Sequence, residues 1–157
     1  MAGKVGELAL DHVIWNLVSS NPAFEQWLLA RTKFGGRSLK LVRDEKWHQR
    51  WYRDPETGRD SETDILLIFA DPANGARYAL HIENKPDHGR WMTDQARNYR
   101  RRAFNRMEKW RYADFQTILM APRGFIERFP RDVAEFDVVL SYEDIRSVAP
   151  EFGLAGV

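Results

Sequence analysis

The chain has no cysteine. That excludes a disulfide scaffold, a cysteine zinc site and chemistry from a thiol nucleophile. Long apolar runs are also missing: the longest, Ile65 to Ala70, is six residues, far short of a bilayer span. The first residues, Met1 to Glu7, carry one lysine and no apolar block of the signal-peptide kind, so the expected location is the cytoplasm, with no membrane partner. There is no repeat, no low-complexity stretch and no Pro/Gly/Ser-rich linker. What is present is 157 residues, 43% hydrophobic and 30% charged, enough apolar surface for an ordinary core and a length suited to a single domain over 1–157.

The net charge of +1 is unevenly spread. Residues 1–76 carry a net −1, residues 112–157 a net −4, and residues 77–111 a net +6 made mostly of arginine. A local basic excess suits a polyanion such as nucleic acid. A solvated helix face laced with ion pairs explains the same residues.

Apolar recurrence at Leu8, Leu10, Val13, Ile14, Leu17 and Val18 predicts a helix over 7–18. Asn21-Pro22 breaks it and caps a short second helix, Ala23 to Ala30. Ser38 to Trp47 alternates and reads as a strand, and Arg53 to Gly58 as a turn. Thr63 to Phe69 is β-rich and nearly all apolar, as expected of a strand buried on both faces. Turn chemistry at Asp71 to Gly75 then leads into a returning strand, Tyr78 to Lys85. A 3–4 spaced stripe predicts a helix from Thr93 to about Trp110. Phe115 to Met120 reads as a strand, Arg123 to Glu135 as helical with a break at Pro130, Phe136 to Leu140 as a last strand, and Ser141 to Val148 as a short capped helix. Helix, three strands, helix, strand is the order of an α/β fold: a mixed central sheet flanked by helices.

On the returning strand, Tyr78, Leu80 and Ile82 share one face, while Ala79, His81, Glu83 and Lys85 share the other. A histidine, a carboxylate and an amine in a row on a central strand are costly unless they face a site. A hairpin turn symmetric about Ala73 and Asn74 sets Leu66 opposite His81 and Asp64 opposite Glu83. Opposed side chains have Cβ atoms about 4.5–5.5 Å apart, and two bare carboxylates at that distance repel. Lys85 can help; a hard divalent cation fits the oxygen donors better.

Asp64, then Glu83-Asn84-Lys85 on the next strand, then Gln95 and Tyr99 in a Gln-x-x-x-Tyr element on the following helix, resemble the PD-(D/E)XK nuclease superfamily, in particular its RecB-like members. The resemblance covers roughly residues 5–120. Thr63 stands where the family's proline precedes the first acid. The resemblance implies a restriction-endonuclease-like αβββαβ core. It implies a metal-dependent nuclease hydrolysing phosphodiester bonds, DNA expected, with Asp64, Glu83 and the Asn84 backbone holding Mg²⁺ or Mn²⁺. Lys85 would orient the attacking water or stabilise the transition state, with Gln95 and Tyr99 assisting. Glu7 on the first helix, with Asp11 behind it, is the candidate for an additional acid. A homodimer is likewise implied by the resemblance alone.

Plainer explanations stand beside these. Glu83 and Lys85 are also an ordinary same-face ion pair, His81 a satisfied polar residue, Tyr99 a packing residue on its stripe and Gln95 a helix-start residue. Arg97, Arg100, Arg101, Arg102 and Arg106 are expected phosphate contacts or else a solvated face. Trp47, Trp51, Tyr52 and Trp91 are base-stacking candidates or core aromatics. The alternative function is a catalytically inactive nucleic-acid-binding or protein-interaction protein on the same scaffold.

Overall fold

The computed structural model describes residues 2–86, 91 and 94–155. Asn21 divides the N-terminal helical segment. Helix α1, Ala2–Ser20, ends before it, and α2, Pro22–Ala30, begins with the Asn21 side chain accepting from Phe24 N–H at 3.1 Å. That is a side-chain cap followed by proline at the first helical position, where the missing N–H costs nothing. Buried Leu10, Ile14, Leu17 and Val18 form the inner stripe of α1.

The strands are β1 (Lys40–Leu41), β2 (His48–Arg53), β3 (Asp60–Ala70), β4 (Arg77–Asn84), β5 (Asp114–Ala121) and β6 (Val138–Ser141). They form one six-stranded sheet in the order β1-β3-β4-β5-β6, with β2 also paired to β3. Pairings among β1, β2, β3 and β4 are antiparallel, and β4-β5 and β5-β6 are parallel, so the sheet is mixed. The parallel β4-β5 step is made through α3, Gln95–Asn105, as such a step requires a crossover. Three short helices follow: α4 (Arg123–Arg128), α5 (Pro130–Val133) and α6 (Tyr142–Val148), the last capped by the Ser141 side chain accepting from Asp144 N–H at 3.0 Å. A 3-10 segment, Pro150–Ala155, is the last described element.

Side chains of α1, α2, α6 and Phe152 pack on one face of the sheet with Ile65, Leu67, Phe69, Leu80 and Ile82. On the other face, Ala96 and Tyr99 of α3 pack with Leu119, Phe125 and Phe136, and Leu66, Ile68 and Ala79 pack with Trp110 and Tyr112. This is an α/β fold with helices on both sides of a mixed sheet. The last residues are part of it: Tyr142 and Phe152 are fully buried and meet edge to face with ring centroids 5.0 Å apart.

Several expected elements differ in extent. The strand expected over Ser38 to Trp47 contracts to Lys40–Leu41, because Asp44 and Glu45 lie in a bend. β1 pairs with the end of β3, and the rest of that edge is taken by β2, whose HQRWYR sequence lacks an apolar alternation. Helix α3 ends at Asn105, and the chain turns before Trp110, with Arg111 in the left-handed region (φ 57). Its expected start, Thr93, lies outside the described residues. Among the described residues no helix is long and apolar enough to cross a membrane.

Candidate active site

The β3-β4 ladder runs from Ala70–Arg77 to Ile65–Ile82 in the register that sets Leu66 opposite His81. Beyond Ile65 it opens. The Asp64 N–H donates to the Tyr99 hydroxyl at 3.1 Å, and the Asn84 N–H donates to Asp64 Oδ2 at 3.1 Å. Side chains thus replace the missing ladder partners, as buried backbone groups require.

The opening coincides with a change of face on two strands. Ile65 packs in the α1-side core, while Thr63, two residues earlier, reaches His81 on the α3 side. On β2, His48 reaches Asp11 of α1, while Arg50 lies over the Trp110 ring at 4.4 Å on the α3 side. Gln49 between them adopts φ 49, an uncommon conformation for a residue other than glycine. Asp64 sits at the corresponding place on β3, so the kink delivers its carboxylate to the end of the sheet beside Glu83.

Glu83 is 4% exposed and held from three directions. Lys85 Nζ stands 3.2 Å from Oε1, Gln95 Nε2 donates to Oε1 at 2.6 Å, and the Tyr99 hydroxyl donates to Oε2. Gln95 and Tyr99 are one helical turn apart and so share a face of α3. The small residues Ala96 and Ala103, both buried, let that helix approach the sheet. Burial and the Asp64 and Glu83 charges hold the Tyr99 phenol well above its ordinary pKa, so it serves as a donor.

On the other side of Asp64 stands Asp11, 3% exposed. Its Oδ1 accepts from Asn84 Nδ2 at 3.1 Å, and its Oδ2 is 3.0 Å from His48 Nε2. The Asn84 Oδ1 accepts in turn from the Tyr142 hydroxyl, so the C-terminal part of the chain orients the site. Burial, above all, pushes the Asp11 carboxyl up to about 7, with the Glu83 charge adding to it. Asp64 is raised well above the ordinary carboxylate range by burial, by the charges of Glu83 and Asp11, and by a hydrogen bond with the Glu83 carboxyl.

The expected additional acid, Glu7, lies one turn before Asp11 on α1, half-buried, near enough to Tyr142 for its charge to raise that phenol's pKa. Asp11 makes the direct contacts with Asn84 and His48. Its place between buried Leu10 and Ile14 was the available sequence signal. His48 and Tyr142 were not among the expected site residues, and Arg102 was expected only as a phosphate contact; the fold brings all three toward the acids. His81 is fully buried and satisfied: Nδ1 lies 2.9 Å from Thr63 Oγ1 and Nε2 3.0 Å from the Tyr112 hydroxyl. Burial and the Arg102 and Arg50 charges push its pKa well down, so it is neutral.

The five arginines expected to contact nucleic acid are not equivalent. Arg97 lies on the surface near Asp94 (3.5 Å) and Glu135 (3.9 Å). Arg100 donates to the Glu135 carbonyl at 2.7 Å and to Asp137 at 3.1 Å. Arg101 bridges to Asp54 (2.7 Å) and Glu56 (2.5 Å), tying α3 to the β2-β3 turn. Arg106 packs over the Tyr52 ring at 4.8 Å. Arg102 is only 1% exposed, inside the fold rather than at the surface expected for it. Of the aromatics, Trp51 is 62% exposed, Tyr52 is buried, Trp47 stacks on Trp15 at 4.9 Å, and Trp91 packs among Phe125, Phe129 and Phe136.

A cleft of about 860 Å³ opens over the carboxylates, bounded by α3 and the β2-β3 turn; Arg59, Glu62, Asp64, Glu83, Gln95 and Arg97 line it. The donors at its floor are oxygens, which suit a hard cation such as Mg²⁺ or Mn²⁺. Among the described residues, no group of three His, Asp or Glu side chains is drawn together closely enough to hold an ion. Comparison of the chain with protein-family models, with curated proteins and with solved structures finds no match.

Proposed function

We propose that this chain is a metal-dependent nuclease of the PD-(D/E)XK kind, hydrolysing phosphodiester bonds, with DNA the expected substrate. The observation that carries the reading is the meeting of Asp64 and Glu83 at the strand kink, with Lys85, Gln95 and Tyr99 all directed at Glu83. Apart from α2 and the two-residue β1, which lie between α1 and β2, the run α1, β2-β3-β4, α3, β5 is compatible with the αβββαβ order of that superfamily.

Asp64, Glu83 and the Asn84 backbone carbonyl would hold Mg²⁺ or Mn²⁺. When bound, the ion lowers the pKa of a water and offsets charge developing on the scissile phosphate. The protein's own groups do the positioning. Tyr99 and Gln95 hold the Glu83 carboxylate in one orientation through Oε2 and Oε1. Lys85, whose ammonium rests on Glu83, supplies positive charge beside the phosphorus as the attacking water forms its P–O bond. The ester P–O bond breaks on the opposite side; the water gives up one proton to solvent and the departing oxygen takes one from solvent, so the hydrolysis balances.

The non-catalytic reading has one observation in its favour: both Glu83 oxygens are already hydrogen-bonded within the protein. Cleavage separates the two. Supercoiled double-stranded and circular single-stranded DNA are incubated with Mg²⁺ or Mn²⁺, an EDTA control and Glu83→Ala beside them. Metal-dependent cutting lost in Glu83→Ala supports the nuclease. If neither circle nor linear DNA is cut, the binding protein stands instead.

A further inference from the structure

Arg102 is a buried cation with no carboxylate paired to it among the described residues. Its Nε donates to Thr63 Oγ1 at 2.7 Å and its Nη1 to Ser61 Oγ at 2.7 Å. Its Nη2 is buried and has no hydrogen-bond partner among the described residues. Its Cζ lies 4.2 Å from the centre of the Tyr99 ring. A buried, incompletely bonded guanidinium is a net cost to folding, so its surroundings point to what it does.

Two relations tie it to the carboxylates. The first is a directional chain of hydrogen bonds. Arg102 is only a donor, so Thr63 accepts from it; at the other end the Tyr112 hydroxyl gives its one proton to the Ala103 carbonyl and so accepts from His81, which leaves Nδ1 of the neutral imidazole to accept from the Thr63 hydroxyl. His81 therefore carries its proton on Nε2 and donates to the Tyr112 hydroxyl, which donates to the Ala103 carbonyl. The chain begins and ends on adjacent residues of α3. It pins that helix to Thr63, next to Asp64, and to His81, two residues before Glu83. The second relation is through the ring. A cation over the Tyr99 face draws π-electron density and makes the phenol a better donor, and that phenol's partner is Glu83.

We infer that Arg102 is a positioning residue of this site, setting Tyr99 and the Thr63–Asp64 kink so that the two carboxylates keep their arrangement. The inference rests on the nuclease reading for its kinetic consequence but not for its structural one. It gives an arginine of the basic stretch a role other than phosphate contact.

The test compares wild type, Arg102→Lys, Arg102→Met and Ser61→Ala by two readouts. One is kcat and KM for metal-dependent DNA cleavage. The other, on the protein alone, is the downfield proton resonance of the Tyr99 hydroxyl, assigned by its loss in Tyr99→Phe. Loss of a group that orients a ligating residue typically costs roughly 10–100-fold, and a fall of that order in kcat is expected for Arg102→Met with KM little changed. The hydroxyl resonance should shift or broaden. Arg102→Lys, which keeps the charge but not the fork, should recover part of both. Ser61→Ala, which removes one partner and leaves the charge, serves if both Arg102 variants fail to fold, with a smaller change in the same sense expected.

Unchanged kcat and an unmoved resonance in a folded variant overturn the inference. So does a rise in KM accompanied by a salt dependence shallower by about one ion, the mark of a lost phosphate contact. If wild type does not cut, the nuclease reading fails, and the resonance alone decides whether Arg102 sets Tyr99.

Discussion

Tyr99 reaches from α3 to the end of the sheet and donates its hydroxyl proton to Glu83, while the same oxygen accepts the Asp64 N–H at 3.1 Å. One phenol thus joins the two acids that a nuclease of this kind needs, and it does so where the β3-β4 ladder has opened. Asp64 owes its place to the kink and Glu83 its orientation to α3. Strand and helix are therefore coupled through a single oxygen atom.

Removing that oxygen tests the coupling. Tyr99→Phe leaves the Asp64 N–H and one side of Glu83 without partners at a buried position. An unsatisfied buried group costs about 1–3 kcal/mol, so the urea midpoint should fall by a corresponding amount. Cleavage should fall further than stability explains, because Glu83 then keeps only Gln95 and Lys85 to orient it. A variant that loses stability but cuts at the wild-type rate would show that Tyr99 only packs.

The acids also set a pH dependence of unusual sign. Asp11 is pushed from 3.8 to about 7 on folding, and Asp64 is raised as well. Between those values the folded chain binds more protons than the unfolded one, so these groups make stability fall as pH rises. At 1.36 kcal/mol per unit, Asp11 alone contributes up to about 4 kcal/mol across that window. His81, held neutral, works in the opposite sense below its ordinary pKa, so the acids' part is read by difference: from pH 5 to pH 8 the denaturation midpoint should fall more in wild type than in Asp11→Asn. Equal slopes in the two proteins would mean that other groups set the profile.

A divalent cation should relieve the same repulsion. Mn²⁺ titrated into wild type at pH 8 is expected to raise Tm; ligand at 100 times its Kd adds about 2.7 kcal/mol. Asp64→Asn should be more stable than wild type without metal and gain little from it. An equal Tm shift in both proteins would place the ion away from Asp64.

The hairpin register was legible because Asp71 to Gly75 is strong turn chemistry, and a turn symmetric about Ala73 and Asn74 puts Leu66 opposite His81 as found. The α2 cap and the C-terminal helix followed from Asn21 and Ser141 in the same local way. Strand β2 was not legible. Its residues change face at Gln49, and a face change erases the period of two on which strand recognition depends. Nor did the sequence disclose that Asp11 meets Asn84, 73 residues away, or that Arg102 turns inward to Thr63, 39 residues back. A run of arginines on a helix reads as one surface, and only packing shows which member the sheet takes in.

Arg59 is the remaining arginine of the cleft, and its situation differs from that of its neighbours. Arg97, Arg101 and Arg102 all have side-chain partners, whereas Arg59 has no ion pair among the described residues and projects from the turn that Gly58, at φ 70, allows to close. A free cation on the rim above buried carboxylates can meet a nucleic-acid backbone without first breaking a bond. Arg59→Ala should therefore weaken binding evenly across sequences and reduce the salt slope by about one. Arg101→Ala should change the slope less, since Arg101 already spends its charge on Asp54 and Glu56. Anisotropy titrations of labelled single- and double-stranded oligonucleotides across a range of salt concentrations give both slopes. If Arg59→Ala leaves the slope of each oligonucleotide unchanged, the backbone does not pass over this turn.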